Sequence, residues 1–333
     1  MRPWGRVAWM LDRIEVKQWS ILGTLSSEQR GLAVWEALKS RNALAFDHLL
    51  RIHPPTSHPR GHELDALVEE EQIRFLERGG EFEHIRDHHL LERHNDIVQA
   101  AHDFLQLSTD SVIVDITSFP KRFFFPLLRF VLADDSKRNI LVTYTVPEKY
   151  AQDALHEDVE APAFLPSFMP RLDEEDEHHP PILVVAVGFE SPGLTQILEE
   201  DQGAGVYYLF PFPAAPPLSK GTWDFLEEGI SITDTRRSWI EGVSTRDLSS
   251  TFEKLKSVTD SGHRQCLLAP YGPKTVSLAM CLFAIGPGAS SSSVRYAQPK
   301  YYNPKYSSGV ATDAGGIVAY AYALRLDGHN FFE

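Results

Sequence analysis

The stretch DITSFPKRFFFPLL, Asp115 to Leu128, decides how the chain is read. It begins at the end of a short apolar run, residues 112–116, of the kind that forms a strand buried on both faces. Thr117, Ser118 and Pro120 then suit the opening of a helix, and three phenylalanines and two leucines make that helix apolar from its first turn. A strand that feeds a buried helix through a tight cationic turn is half of a βαβ unit. APYGPKTVSLAM, Ala269 to Met280, repeats the device as strand, break, Pro-Lys and apolar helix. Two copies imply a paired architecture.

Working outward from the first copy, alternating periods predict strands at 18–24, 43–52, 82–90 and 139–145, with helices at 26–39, 62–78 and 96–107. Around the second copy they predict strands at 182–187, 206–210, 265–269, 294–297 and 317–326, with helices at 192–200, 219–228, 246–257 and 274–285. Such alternation builds mostly parallel sheets covered by helices on both faces. The expected fold class is therefore α/β with two Rossmann-like domains. Residues 1–150 form the first and 181–333 the second, and the acidic, proline-rich segment 151–180 is a linker or loop.

Bulk properties fit that plan. A chain of 333 residues exceeds one ordinary core, since domains run to roughly 100–200 residues. The net charge of −14 argues against a surface that wraps duplex nucleic acid. From Glu148 to His179, however, ten acidic residues face two basic ones, a local net charge of −8, so a basic pocket elsewhere remains open to a small anion. Cys266 and Cys281 fall on a strand and a helix, read as small buried hydrophobes, and imply no disulfide framework. The opening residues lack a signal-type apolar core, and the most apolar segment, 123–133, falls short of the roughly 18 residues of a membrane span. A cytoplasmic protein with no membrane contact is expected.

In doubly wound sheets ligands sit beyond the carboxyl ends of the strands, where helix N-termini offer N–H groups and about half a positive charge. Both Pro-Lys turns occupy that location. The first brings Thr117, Ser118, Lys121 and Arg122; the second brings Gly272, Lys274 and Thr275. Each reads as part of a phosphate-binding rim or, more plainly, as an ordinary helix start with a solvated lysine.

DITSFPKRFFFPLL resembles the strand and helix of CARF domains, Rossmann-like sensors of cyclic oligoadenylates whose strand ends in an Asp-x-Thr-His-Gly-like turn. Ser118-Phe119 stands here in place of His-Gly. APYGPKTVSLAM is similar to the family's other signature, a Gly-Gly-Thr-Lys-like turn, here Gly272-Pro273-Lys274-Thr275 with a single glycine. Two such modules in one chain resemble SAVED domains, which are tandem CARF-like units. The resemblance implies a nucleotide second messenger as ligand, a role in bacterial antiviral defence, and ligand contacts at Thr117, Ser118, Lys121, Arg122, Gly272, Lys274 and Thr275.

Two further strand ends fit the same face. VVAVGFESPGL, Val184 to Leu194, places Phe189 for stacking on a base and Ser191 for a phosphate, although Phe189 reads equally well as core. AQPKYYNPKYSSG, Ala297 to Gly309, interleaves Lys300, Tyr301, Tyr302, Lys305 and Tyr306, a composition that suits bases and phosphates and also ordinary surface loops. LFPFPAAPP, Leu209 to Pro217, reads as a stiff rim or a dock for another chain.

Catalytic signals are sparse. No GxxxxGK, GxGxxG or GxSxG occurs in the expected context. Asp115 is the acid best placed for catalysis, though a capping or core role suits it better. The histidines of EHIRDHHLLERH, His84 to His94, lack metal-ligand spacing. No cofactor is implied. The leading expectation is a nucleotide-binding sensor with its cleft between two halves and a separate effector or self-assembly for output. An enzyme on a nucleotide or phosphosugar, with Asp115 or Glu190 as acid or base, and a non-catalytic scaffold subunit are the alternatives.

Overall fold

A computed structural model describes residues 3–151, 154–169, 181–200, 205–212, 219–232 and 237–332. The chain opens with β1 (Trp4–Arg6), α1 (Val7–Arg13) and β2 (Trp19–Leu25), then passes through a 3-10 turn (Gln29–Leu32) to α2 (Ala33–Ser40) and β3 (Leu44–His53). It continues with α3 (Gly61–Glu77), β4 (Ile85–His89), α4 (His94–Leu107), β5 (Ser111–Asp115), α5 (Lys121–Ala133), β6 (Asn139–Thr145), β7 (Lys149–Tyr150) and β8 (His156–Val159). Next come β9 (Ala163–Phe164), β10 (Ile182–Ala186), α6 (Leu194–Glu200), β11 (Gly205–Phe212), α7 (Ser219–Ile232), β12 (Arg237–Ser244) and α8 (Leu248–Val258). β13 (Cys266–Pro270), α9 (Lys274–Ile285) and β14 (Ser292–Tyr296) complete that series. The chain ends in β15 (Pro299–Tyr302), β16 (Ser307–Ser308), β17 (Thr312–Asp313), β18 (Gly316–Ile317), β19 (Ala319–Leu326) and β20 (His329–Asn330).

Two compact units result, Met1–Asp158 with Lys300–Phe331, and Val159–Pro299 with Phe332–Glu333. The first holds a sheet of order β1-β19-β6-β5-β2-β3-β4, in which the five strands from β6 to β4 are parallel. The second holds β12-β11-β10-β13-β14-β9, parallel except for β9. The fold is α/β and Rossmann-like. The same five-strand order recurs, β4-β3-β2-β5-β6 and β12-β11-β10-β13-β14. In each, the chain walks outward from a central strand and then returns to its other side. The loops leaving β2 and β5, and those leaving β10 and β13, therefore part in opposite directions and open a crevice at the carboxyl end.

Coverage on both faces explains the uniformly buried β2, β5 and β10. Ile21, Leu49, Ile113 and Leu141 share one core cluster with Val34, Trp35 and Leu38 of α2 and Phe75 of α3. Alternation turns Leu22, His48 and Val114 to the opposite face, where His48 meets Phe104 of α4. There α4 packs on α5. The three phenylalanines have a plain cause: Phe123, Phe124 and Phe125 are all fully buried, and from Phe123 to Leu128 this helix presents no solvent face.

Three expectations shift. The strand expected at 317–326 with the second half is β19, which pairs with β6 in the first sheet. The helix expected from residue 26 begins as a 3-10 turn at Gln29 and becomes α2 only at Ala33. Strand β12 was not expected at all. Within the acidic stretch, β8 and β9 are strands and Leu155, Leu165 and Phe168 are buried; residues 170–180, with His178 and His179, lie outside the described residues. Leu209–Phe212 belong to β11, whereas 213–217 are also outside the described residues. Among the described residues no helix is long and apolar enough to cross a membrane.

Candidate functional site: the strand-end rims

In the first unit β5 delivers Asp115, Ile116 and Thr117 to the crevice. Thr117 does not cap α5. Its hydroxyl donates to Asp115 Oδ1 at 2.5 Å and accepts from Thr145 N at 2.9 Å, which ties the β5 turn to the end of β6. Asp115 also accepts from Thr117 N at 3.1 Å and is 1% exposed. Burial pushes its carboxyl up to about 6, against the opposing pull of the Thr117 bonds. Asp115 is thereby a hydrogen-bonded core residue beneath the turn.

Ser118 differs. Its Oγ is buried and has no hydrogen-bond partner among the described residues. It lies across the switch point from the loop after β2: a methyl on Gly31 would sit 3.3 Å from Ser118 Oγ, 3.5 Å from Ser26 Oγ and 3.2 Å from Thr24 O. Two hydroxyls thus converge where glycine leaves room. The N-cap of α5 is Pro120, with no side-chain cap, and Lys121 and Arg122 are its first helical residues, both half-buried. Arg122 also donates from Nη2 to Glu92 O at 2.9 Å.

Beneath this rim lies a charged group that the sequence did not announce. Arg30 is 2% exposed and donates to Glu28 Oε2 from Nη2 at 2.7 Å, to Thr145 O at 2.8 Å and to Ser307 Oγ at 3.1 Å. Burial is the largest single influence and disfavours the guanidinium charge, yet the Glu28 carboxylate together with Tyr144 and Tyr150 outweighs it and raises the pKa. Ser307 Oγ donates to Glu28 in turn. The signal was the Ser26–Gly31 segment after a central strand, but which strand is central depends on sheet order, which periodicity does not reveal.

The tail that carries Lys300 to Gly309 runs along this first unit. Tyr301 shares a 2.5 Å hydrogen bond with Ser57, and His58 Nε2 donates to Tyr302 O at 3.1 Å, while Lys305 pairs with Glu63 at 2.9 Å and Lys300 with Asp158 at 2.9 Å. Tyr306 meets Tyr150 edge-on at 6.1 Å, and burial around both hydroxyls pushes their pKa values up. Both lysines therefore spend charge on carboxylates within the unit.

In the second unit β10 and β13 meet through glycines. A methyl on Gly188 would lie 2.6 Å from Tyr271 O, and one on Gly272 would lie 3.0 Å from Ala186 Cβ and 3.2 Å from Val187 O. The close approach that needs Gly272 is to the neighbouring strand. Phe189 is half-buried, with its carbonyl 2.9 Å from where a Gly221 methyl would stand at the start of α7. Ser191 Oγ donates to the Glu228 carboxylate. α9 begins like α5, with Pro273 as N-cap, no side-chain cap and half-buried Lys274 as first helical residue. Thr275 is buried and donates to Thr245 O at 2.7 Å, which anchors the helix to the loop after β12.

Lys121 and Lys274 thus occupy the same place in two sheets of the same order: first residue of the helix after the strand across the switch point. A separate set, Glu81, Glu83 and His84, brings three ligand-type atoms within 4.8 Å of one another, at the opposite, amino-terminal end of β4; both carboxylates are exposed.

No family model matches the chain, and no curated protein matches it. Among solved structures, a type III CRISPR defence DNA nuclease activated by cyclic oligoadenylate aligns with a TM-score of 0.49 and 10% identity, over 84% of this chain and 65% of that one. The chain spans less than two thirds of that protein's length, and at this level of likeness neither activity nor ligand is assigned.

Proposed function

We propose that this chain is a sensor of the CARF and SAVED kind, binding the phosphates of a nucleotide, with cyclic oligonucleotides as the ligand class and antiviral defence as the setting. One observation carries the reading: a Pro-Lys turn opens an uncapped helix at the equivalent strand end of both sheets, through Lys121 and Lys274. Lys121, Arg122 and Lys274 supply positive charge, and the unpartnered Ser118 hydroxyl receives a phosphate or ribose oxygen. Thr117, Gly272 and Thr275 hold the turns in shape. On the rim of the second unit Phe189 is the stacking surface for a base and Ser191 a polar contact beside it; on the rim of the first unit the Lys305–Tyr306 segment adds charge and ring surface. Output passes to a separate effector protein.

Isothermal titration with cyclic oligoadenylates, paired with mass spectrometry of small molecules released on denaturation, tests the reading. Binding that Lys121→Ala and Lys274→Ala each weaken by about 1–3 kcal/mol is expected, the loss of one charge-assisted phosphate bond. Affinity unchanged in both variants removes the site. Turnover of the ligand during the titration would favour an enzyme instead.

A further inference from the structure

The sheet of the second unit ends in β12, paired on one side with β11. Edge strands present unpaired N–H and C=O groups, and proteins guard them with charge, proline or shortness. The outer strand of the first sheet follows that rule: β4 has five residues, among them Arg86, Asp87, His88 and His89. β12 departs from it: eight residues long, it carries charge only at Arg237 and Glu241, and between them it shows solvent Trp239, 37% exposed, and Ile240, 53% exposed. Among the described residues none hydrogen-bonds its outer side.

Apolar surface surrounds this edge. Ile240 sits opposite Tyr208 of β11, on the face that also carries Phe210 and Phe212. Phe212 is 68% exposed, and Trp223 of α7, 53% exposed, packs on Phe210 at 4.8 Å. On the other face Trp239 stacks on Tyr207 at 4.5 Å and 14°. A long edge with an apolar centre, flanked by exposed aromatics, marks a surface that another chain covers.

We propose that a second copy of this chain covers it, the two β12 strands pairing antiparallel about a two-fold axis to join both sheets. A two-fold axis perpendicular to the sheet pairs an edge with itself only in the antiparallel sense and keeps like faces together, so the Ile240, Phe212 and Trp223 patches merge. Charge fixes the register. Centred on Trp239, it sets Arg237 of each copy opposite Glu241 of the other and Ser238 opposite Ile240. Centred one residue later, Arg237 would face Val243 and Glu241 would face Trp239, and both opposite-charge pairs would be lost. Glu241 also holds Lys254 of its own copy at 2.8 Å, which keeps its carboxylate in place at the edge.

Sedimentation velocity of the full chain without ligand tests this. The wild type is expected to dimerise, and Ile240→Lys, which puts a charge at the apolar centre of the edge, to be monomeric with unchanged far-UV circular dichroism and melting. Arg237→Glu and Glu241→Arg each convert two opposite-charge pairs into two like-charge pairs, so each alone should weaken self-association by about tenfold or more. Mixing the two variants restores both pairs, and the mixture should dimerise as the wild type does. A monomeric wild type, a dimer indifferent to Ile240→Lys, or a mixture no better than its components overturns the proposal.

Discussion

Arg30 and Glu28 form an ion pair of 2.7 Å at the carboxyl end of β2, with the guanidinium 2% exposed and also bonded to Thr145 O and Ser307 Oγ. Replacing Arg30 by Met removes the counter-charge and leaves Glu28 in a poorly solvated place. Arg30→Met should therefore cost about 3–5 kcal/mol in urea unfolding, and adding Glu28→Gln should recover part of the loss. A single-variant cost below about 1 kcal/mol would mean that water reaches the pair.

Ser118 separates binding from stability. Its buried Oγ has no protein partner among the described residues, so Ser118→Ala removes a desolvated hydroxyl and gives up no hydrogen bond. Unfolding free energy should stay within about 0.5 kcal/mol of wild type, or rise, while ligand affinity falls by about 1 kcal/mol. A clear loss of stability with affinity intact would assign the hydroxyl to the fold.

Two buried titrating groups oppose one another. Burial raises the Asp115 carboxyl from 3.8 to about 6, so the folded chain holds a proton that the unfolded chain lacks between about pH 4 and 6. Its contribution is fully present below about pH 4 and is lost as pH rises through 6. His48 runs the other way: burial first, then Arg86, lower it from 6.5 to about 4, so its contribution is present above about pH 6.5 and is lost as pH falls through 4. Each slope is about 1.4 kcal/mol per pH unit. Relative to wild type, Asp115→Asn should make stability rise with pH between 4 and 6, and His48→Leu should make it fall, as followed by urea midpoints. Parallel profiles for all three proteins would refute both assignments.

Gly188→Ala brings a methyl to 2.6 Å from the Tyr271 carbonyl oxygen, backbone against backbone at the second switch point. No side chain can rotate away, so β10 and β13 must part. A loss of about 1–3 kcal/mol is expected in thermal or urea unfolding. Gly242→Ala, with open space around its Cα, is the control and should differ little.

The elements that periodicity reaches are those whose burial is simple. β6 and α9 fall on the expected residues because Asn139–Thr145 and Lys274–Ile285 are buried nearly throughout. β12 escaped because RSWIEGVS is exposed over most of its length, so no buried stripe stands out in it. β19 was recognised as a strand but placed with the wrong partners, since an antiparallel strand that returns from far along the chain carries no local mark of its neighbours. At the rims, Lys121 and Lys274 were legible because a Pro-Lys turn is local. Arg30, Glu28 and Gly31 were not: Gly31 comes beside Ser118 only once β2 and β5 are adjacent, and Arg30 reaches Thr145 O only once β6 joins them. Where the Thr117 and Thr275 hydroxyls bond within the fold was not legible for the same reason: their acceptors, Asp115 and Thr245, are fixed by neighbouring turns.

The late return of β19 has a consequence for biosynthesis. β1 pairs with β19, and β19 with β6, so the amino-terminal strand has no sheet neighbour until residue 326 has emerged from the ribosome. Residues 159–299, by contrast, carry all six strands of their own sheet and can assemble while the nascent chain still waits for its last strands. The unit of residues 159–299 is thus the first to reach its full complement of strands, and truncation before Ala319 leaves β1 and β6 as open edges on a half-built sheet.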